Sequence, residues 1–283
     1  MARPKAIIRC WLASVVAPGR SKVVPLTPEF IARQDGAEKQ DCERNAAKRW
    51  LKAHAARVAG LRPVYLGDAL FSCQPLAEAV LDSGADFLFV CKKDSHKTLY
   101  EYVDGAPLEQ RTVLERRPGK RSLTYRYRWM EGVPLRDGKD ALAVNWFAVT
   151  LTDETGKTTY DGAFVTSLPL TADNVVETAA CARARWKIEN ESFNVLKNNG
   201  YNLAHNFGHG KKYLARTFAA MNLLAFAFHT ACDCLETLWQ QAREAVGARA
   251  RFFQDLHTIC AYVLFPSWHS LINTVASGKA PPI

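Results

Sequence analysis

The sequence predicts a mixed α/β protein that has a β-rich block and a helical carboxy-terminal part. Up to about residue 102, short apolar strands alternate with amphipathic helices in the order β-β-α-β-α-β, which is typical of an α/β sheet. Between 103 and 168 the pattern alternates with a period of two, and helical periodicity returns from Thr171. We therefore expect three parts, at residues 1–102, 103–168 and 169–283.

The amino-terminal part opens with a predicted hairpin. AIIRCWLASVV at 6–16 and KVVPL at 22–26 are strand-like, and Pro18 and Gly19 between them form a turn. A long amphipathic helix follows at 38–58, and Gly60 ends it. Its expected buried side chains are Ala46, Ala47, Trp50, Leu51, Ala53 and Val58.

Two short buried strands come next, and an acid ends the first of them. VYLGD occupies 64–68, the helix PLAEAVLDSG occupies 75–84, and ADFLFVCK occupies 85–92. Ligand groups in α/β sheets gather at the carboxyl ends of strands, which makes Asp68 a candidate site residue. The alternative is an aspartate that caps a turn or a helix.

The remaining predicted elements are strands, and then helices. SLTYRYRWM (122–130), ALAVNWFAVTL (141–151) and DGAFVTSL (161–168) are strand-like. A helix is predicted from a Thr171 or Asp173 cap to a stop at Gly200. FAAMNLLAFAFHTAC at 218–232 is too short and too polar for a comfortable membrane span, so a buried core helix is expected.

Charge and cysteine usage narrow the class of partner. The net charge of +9 and pI near 9.2 suit a polyanion, nucleic acid before an anionic membrane, although a merely basic globular protein would look the same. The opening residues do not form a signal peptide, so reduced thiols in a cytoplasmic protein are expected. Cys232, Cys234 and His229 raise the question of zinc, but their spacing fits no common finger.

Three motifs give the chain a resemblance to a known family. They are YLGDALFS (65–72), FLFVCKKDSHKTLYE (87–101) and RWKIENESFNVLKNNGYNLAHNFGHG (185–210). Over roughly 15–275 the chain resembles the DDE transposases of bacterial insertion sequences. The resemblance implies a ribonuclease H-like mixed sheet with a β-rich insertion before the catalytic glutamate, and it implies DNA transposition as the function.

The resemblance also implies the site. Asp68 matches the second catalytic aspartate and Glu189 the glutamate, and both would bind a pair of Mg²⁺ or Mn²⁺ ions, which hard carboxylate oxygens suit. Arg185 matches the signature arginine, which Trp186 follows as in the family, and Lys197 comes one residue after the signature lysine position; these three would contact DNA. The signature tyrosine position holds Ala182, which departs from the family.

Helical geometry selects between the two glutamates. At about 100° per residue, Arg185 and Glu189 lie about 40° apart on one face, and Glu191 lies almost opposite Glu189. Glu189 is therefore the expected site residue. The alternative is an exposed Arg–Glu pair that contributes only a few tenths of a kcal/mol.

The first catalytic aspartate of the family has no counterpart. It would sit on a strand before the predicted hairpin, and the nearest acids, Glu29, Asp35, Glu38 and Asp41, fall in a loop or early helix. We therefore expect a chain that starts inside the domain and lacks the first strand. A two-metal site without one of its acids should bind metal poorly.

Three functions remain open on the sequence. The first is a metal-dependent transposase that nicks and transfers strands, acting on terminal inverted repeats and target DNA, as a dimer on the ends and without a membrane. The second is a catalytically silent DNA-binding remnant, and the third a nuclease with the same core. Trp129 and Trp146 could stack an extruded base, but core positions in the β-block are the favoured interpretation.

Overall fold

The computed structural model describes residues 9–31, 41–116, 118–119, 122–205 and 213–279. The chain divides into two compact units. Arg33–Arg185 forms one, which we call the sheet unit. Met1–Ala32 and Trp186–Ile283 form the other, which we call the hairpin–helix unit. The predicted mixed α/β class with carboxy-terminal helices is confirmed.

The strands and helices are numbered along the chain. The strands are β1 Arg9–Trp11, β2 Ser14–Val15, β3 Val24–Pro25, β4 Glu29–Ile31, β5 Val64–Gly67, β6 Asp86–Val90, β7 Glu109–Glu115, β8 Leu123–Pro134, β9 Ala143–Asp153 and β10 Thr158–Thr166. The α-helices are α1 Glu43–Val58, α2 Gln74–Asp82, α3 Lys97–Gly105, α4 Val175–Arg183, α5 Asn194–Asn198, α6 Leu214–Leu235, α7 Thr237–Val246, α8 Arg249–Tyr262 and α9 Trp268–Ser277.

The sheet unit contains one six-stranded mixed sheet, in the order β5-β6-β10-β9-β8-β7. Strands β5 and β6 run parallel, and the other neighbours pair antiparallel. Strands from the first two predicted parts of the chain therefore share a single sheet. One face of this sheet packs on α4 through a continuous apolar core that includes Tyr127, Trp129, Phe147, Val149 and Phe164.

Helix α1 buries most, but not all, of the side chains that its periodicity predicts to be buried. Of the expected buried side chains, Ala46, Ala47, Trp50 and Leu51 are buried. Ala53 is exposed and Val58 is half-buried, whereas Ala55 is buried. Ala55 lies four residues after Leu51 and therefore on the same face, while Ala53 points almost the opposite way. The helix begins at Glu43 in the structure, and predicted positions 38–40 lie outside the described residues.

The hairpin–helix unit begins with the predicted hairpin. Strand β2 pairs with β3 across the turn at Pro18 and Gly19. The sequence prediction missed β4, which pairs with β1 so that Cys10 faces Phe30. A second strand pair therefore flanks the hairpin.

Helix α6 is buried along one side only, which corrects the expectation of a fully buried core helix. Leu223, Phe226, Thr230, Cys232 and Asp233 face the interior of the unit. The other side exposes large apolar side chains, because apolar residues lie on all sides of this helix. Within the described part of the chain, α6 is also the one helix whose length and apolar composition would fit a membrane span.

Candidate functional site

Asp68 lies where the sequence predicts it, immediately after the carboxyl end of β5. Its side chain is exposed, and Oδ1 accepts a hydrogen bond from the backbone N–H of Leu70 at 2.8 Å. The backbone N–H of Phe71 donates to the Asp68 carbonyl at 3.1 Å. These two bonds form an Asx-type turn, so the same carboxylate both shapes the loop and faces solvent.

A buried pair of side chains holds the loop after Asp68 against the end of the next strand. Ser72 Oγ and His96 Nε2 are 3.0 Å apart, and His96 Nε2 also lies 3.0 Å from the Ser72 carbonyl oxygen. On the other side of the ring, Nδ1 of His96 lies 3.3 Å from the carbonyl oxygen of Lys92. Ser95 Oγ is 2.9 Å from Nδ1 of the same ring. The ends of β5 and β6 are thus tied together.

Among the acids considered for the missing aspartate position, Asp41 already has a structural partner. Asp41 is buried and forms a two-pronged pair with Arg49, at 3.0 Å and 2.7 Å. That pairing commits both of its oxygens. Glu29 belongs to β4 in the other unit. Asp35 and Glu38 lie outside the described residues.

The segment that carries the glutamates is not a single α-helix. Helix α4 ends at Arg183, a 3₁₀ turn spans Ala184–Trp186, and a π-helix spans Ile188–Phe193 before α5. In the π-helix the N–H of Asn194 donates to the carbonyl of Glu189, five residues back. Arg185 and Glu189 were predicted to share one face of a continuous α-helix. The prediction of a continuous α-helix between them is wrong.

The predicted site residues are distributed over both units. Asp68 and Arg185 belong to the sheet unit, whereas Trp186, Glu189 and Lys197 belong to the hairpin–helix unit. Glu189 and Lys197 are exposed, Arg185 is half-buried, and 45% of the Trp186 surface is accessible. The predicted shared site of Asp68 and Glu189 stays a prediction.

Glu191 is half-buried, whereas Glu189 is exposed. Solvent access suits a carboxylate that must bind an ion and a substrate. The local structure is therefore compatible with Glu189 as the site residue, for a reason other than the angle from Arg185.

Lys187 fixes the start of this segment from inside the hairpin–helix unit. Its side chain is buried, and Nζ donates to the carbonyls of Ala17 and Arg20 on either side of the Pro18–Gly19 turn. Hydrogen bonds from a charged donor are stronger than neutral ones. The ammonium group therefore connects the hairpin turn to the backbone two residues before Glu189. The sequence interpretation did not single out this lysine.

The expected metal pair at Asp68 and Glu189 stays a prediction. Among residues 9–31, 41–116, 118–119, 122–205 and 213–279, no group of three or more His, Cys, Asp or Glu side chains is placed to hold a metal ion. Cys232, which is buried, and Cys234, which is exposed, therefore belong to no such group.

The face of the sheet opposite α4 carries two arginines that the sequence interpretation did not single out. In β8, Tyr125, Tyr127 and Trp129 face the core, so Arg126 and Arg128 project from the opposite face. Arg126 is exposed and Arg128 half-buried, and neither has a carboxylate partner among the described residues. The alternation of aromatic and basic residues in SLTYRYRWM indicates that both arginines share the face opposite the aromatic side chains.

The neighbours of Arg126 on the adjacent strands are small and polar. Thr112 of β7 and Thr150 of β9 lie directly across from Arg126. Asp161 of β10 lies beyond Thr150, whose Oγ1 donates to it at 3.0 Å. The face therefore combines positive charge with short hydroxyl side chains, a composition that suits contact with phosphates.

The two tryptophans of the β-block are buried, which confirms the interpretation as core residues. Trp129 is 2% exposed and Trp146 is 3% exposed. Trp129 belongs to the core beneath α4, while the Trp146 ring meets Tyr100 edge to face at 5.9 Å. Neither ring is available to stack a base.

A polar network inside the hairpin–helix unit was also missed. Asp233 accepts hydrogen bonds from the Trp239 indole at 2.7 Å and from Arg249 at 2.9 Å, and Lys22 lies 3.3 Å away. Burial by itself raises the pKa of Asp233, but the Trp239 hydrogen bond and the charges of Arg249 and Lys22 lower it overall. His229 lies in the same region, 2.9 Å from the Tyr201 hydroxyl.

All eight cysteines are free thiols in the structure. Cys91 is buried, and that burial raises the pKa of its thiol to about 12. Cys42, Cys234 and Cys260 are exposed. Thiol-directed reagents therefore meet these three positions first.

Comparison with known proteins does not assign the chain to a family. No family model matches the sequence. No curated protein matches it either.

Proposed function

We propose that this protein is a DNA transposase of an insertion sequence, which binds duplex DNA at terminal inverted repeats and at the target. The observation that carries the proposal is the exposed carboxylate of Asp68 at the carboxyl end of a parallel strand, held in a defined turn. Ligands of open α/β sheets bind at that edge. The motif resemblance around Asp68 and Glu189 supports the same function.

Each predicted site residue has a role in this proposal. Asp68 and Glu189 are the catalytic acids and the ligands of Mg²⁺ or Mn²⁺, and Arg185, Lys197 and Trp186 contact DNA. When bound, the metal pair would supply activation of a water or 3′-hydroxyl and stabilisation of the leaving oxygen. A bacterial cytoplasmic protein associated with the nucleoid and dimeric on transposon ends belongs to the same proposal.

The basic face of the sheet supports the DNA-binding part. Alternate residues of a strand are about 6.7 Å apart, so Arg126 and Arg128 present two positive groups in a row on one surface. Each arginine that neutralises a phosphate releases a counterion. Binding should therefore weaken as the salt concentration rises.

The DNA-binding experiment compares matched pairs of arginines. The double variant Arg126→Ala/Arg128→Ala should reduce the slope of log K against log salt by roughly 1.8, which is 0.9 for each lost phosphate contact. Arg57→Ala/Arg62→Ala removes the same charge from exposed positions outside the sheet face and serves as the control. Equal slopes in the two double variants would remove the role assigned to this face, and salt-insensitive binding would contradict DNA binding by charge.

A second candidate function is a DNA-binding remnant without catalysis. The observation that favours it is that Asp41, an acid considered for the missing aspartate position, has both oxygens paired with Arg49. Nicking assays on duplex DNA with inverted-repeat ends, with and without Mg²⁺, separate the two. Nicking that is lost in both Asp68→Asn and Glu189→Gln supports the transposase, whereas DNA binding without nicking supports the remnant.

A further inference from the structure

The exposed side of α6 has the spacing of a helix–helix seam. Seven exposed residues follow one another at alternating steps of three and four: Leu214, Thr217, Met221, Leu224, Phe228, Ala231 and Leu235. This set is the α6 seam. Steps of three and four give an average period of 3.5, which keeps a side-chain row facing a second helix.

The large members of the seam are far more accessible than core residues. Met221 is 58% exposed, Leu224 is 69% exposed and Phe228 is 54% exposed. Phe218, which flanks the seam, is 39% exposed. A continuous row of such side chains on a soluble surface marks an interaction site.

The opposite side of α6 packs against protein and does not face lipid. Asn222 Nδ2 donates to the carbonyl of Tyr201 at 2.6 Å, and Asp233 pairs with Arg249 at 2.9 Å. These contacts belong to a packed protein interior with buried charge. Helix α6 therefore offers one apolar face and not a fully apolar cylinder.

We propose that the α6 seam binds the same seam of a second copy, antiparallel, in a homodimer that forms without DNA. In an antiparallel pair, the numbers of two facing residues have a constant sum. With the two-fold axis between Asn222 and Leu223, Met221 faces Leu224 of the other copy. Thr217 then faces Phe228, and Leu214 faces Ala231.

Side-chain volume selects this arrangement over the parallel one. Each antiparallel layer opposes a large side chain to a smaller one or pairs two of medium size, so the layers fill evenly. A parallel pair would oppose Phe228 to Phe228 and Ala231 to Ala231, which gives one crowded layer and one empty layer. The seam is thus complementary to itself under a two-fold axis.

The available area is sufficient for a specific interface. The accessible parts of the seam and Phe218 amount to roughly 600 Å² per copy, or about 1,200 Å² in total, at the lower limit of stable protein–protein interfaces. The expected dimer is therefore reversible and dissociates on dilution. It is independent of the proposed function, so its failure would leave the transposase proposal standing.

The mass of the full chain in solution tests the proposal. Light scattering after gel filtration should give about 63 kDa without DNA, twice the chain mass of 31.6 kDa. Leu224→Glu places a charge beside the axis and should weaken dimerisation at least about 100-fold. Leu264→Glu is the control, because Leu264 is 99% exposed and lies outside the seam.

The outcomes separate the possible occupants of the seam. A wild-type monomer at 100 µM, or a Leu224→Glu dimer as tight as wild type with an unchanged circular dichroism spectrum, would overturn the proposal. A monomer that floats with phosphatidylcholine–phosphatidylglycerol vesicles would overturn it in favour of a membrane. Dimer loss in Leu224→Glu but not in Leu264→Glu supports it.

Disulfide trapping tests the orientation. The exposed Cys42, Cys234 and Cys260 are first replaced by serine. In that background, a mixture of Thr217→Cys and Phe228→Cys chains should cross-link, because these positions face each other. Thr217→Cys alone should not, since its two copies would be about 16 Å apart along the helices. Cross-linking of Thr217→Cys with itself would overturn the antiparallel arrangement.

Discussion

His229 should make the hairpin–helix unit less stable in mild acid. Its Nδ1 lies 2.9 Å from the Tyr201 hydroxyl, which also accepts a hydrogen bond from Arg249 at 3.1 Å. The hydroxyl therefore donates to a neutral imidazole. Burial, followed by the charge of Arg249, lowers the pKa of His229 from 6.5 to about 4.

The direction of the pH effect on stability follows from the number of protons that the folded and unfolded chains bind. Between pH 6.5 and 4 the unfolded chain binds a proton at His229 that the folded chain does not, so stability is complete above pH 6.5 and falls as the pH drops. From pH 7.5 to 5.0 the loss is about 2 kcal/mol for a fully shielded group. Because His229 is only half-buried, solvent screening reduces the expected loss to about 1 kcal/mol.

Urea unfolding at pH 7.5 and 5.0 measures this loss. Tryptophan fluorescence is a suitable probe because Trp239, one of the seven tryptophans, stacks on His229 with centroids 5.1 Å apart. His229→Gln keeps an acceptor for Tyr201 but does not titrate, so its pH dependence should be smaller by about 1 kcal/mol. His269→Gln, at an exposed position, should behave as wild type. Identical pH dependence in wild type and His229→Gln would refute the reasoning.

Two further substitutions test the structure around the proposed catalytic acids. Gly67→Ala should destabilise the sheet unit by about 1–3 kcal/mol, because the new Cβ would lie 2.7 Å from Phe89 Cδ1 and 2.8 Å from Phe71 Cβ; an unchanged thermal midpoint would contradict this packing. Lys187→Met should cost about 2–4 kcal/mol in urea unfolding, since it leaves two carbonyls without their charged donor, whereas the exposed Lys197→Met should cost under about 0.5 kcal/mol. Equal effects of the two lysine substitutions would refute the anchoring role.

Periodicity was sufficient for much of the fold. Alternation in β8 and β9 placed Trp129 and Trp146 in the core, and the strand-end position of Asp68 followed from a short apolar run with an acid after it. These features depend on neighbours within about ten residues. The missed pairing of β1 with β4 depends on contacts across a hairpin, which local patterns do not contain.

The helical features were harder to predict, because an apolar pattern does not show which side of a helix packs against the rest of the protein. Helix α6 is apolar on both sides, so the sequence indicated a core helix, whereas one side is exposed. The network around Asp233 joins residues from the hairpin, α6 and α8. Such a network is invisible to spacing arguments, which compare residues within one element.

The π-helix bears on the proposed role of Lys197. The proposed resemblance to transposases implies a lysine seven residues after the glutamate, at position 196, and Lys197 stands one residue later. A π-turn contains one residue more than an α-turn, so every position after Phe193 is shifted in phase by one. Lys197 consequently occupies the direction that residue 196 would have in an unbroken α-helix. The extra residue is contained within one turn, so Lys197 has the direction relative to Glu189 that the proposed function requires.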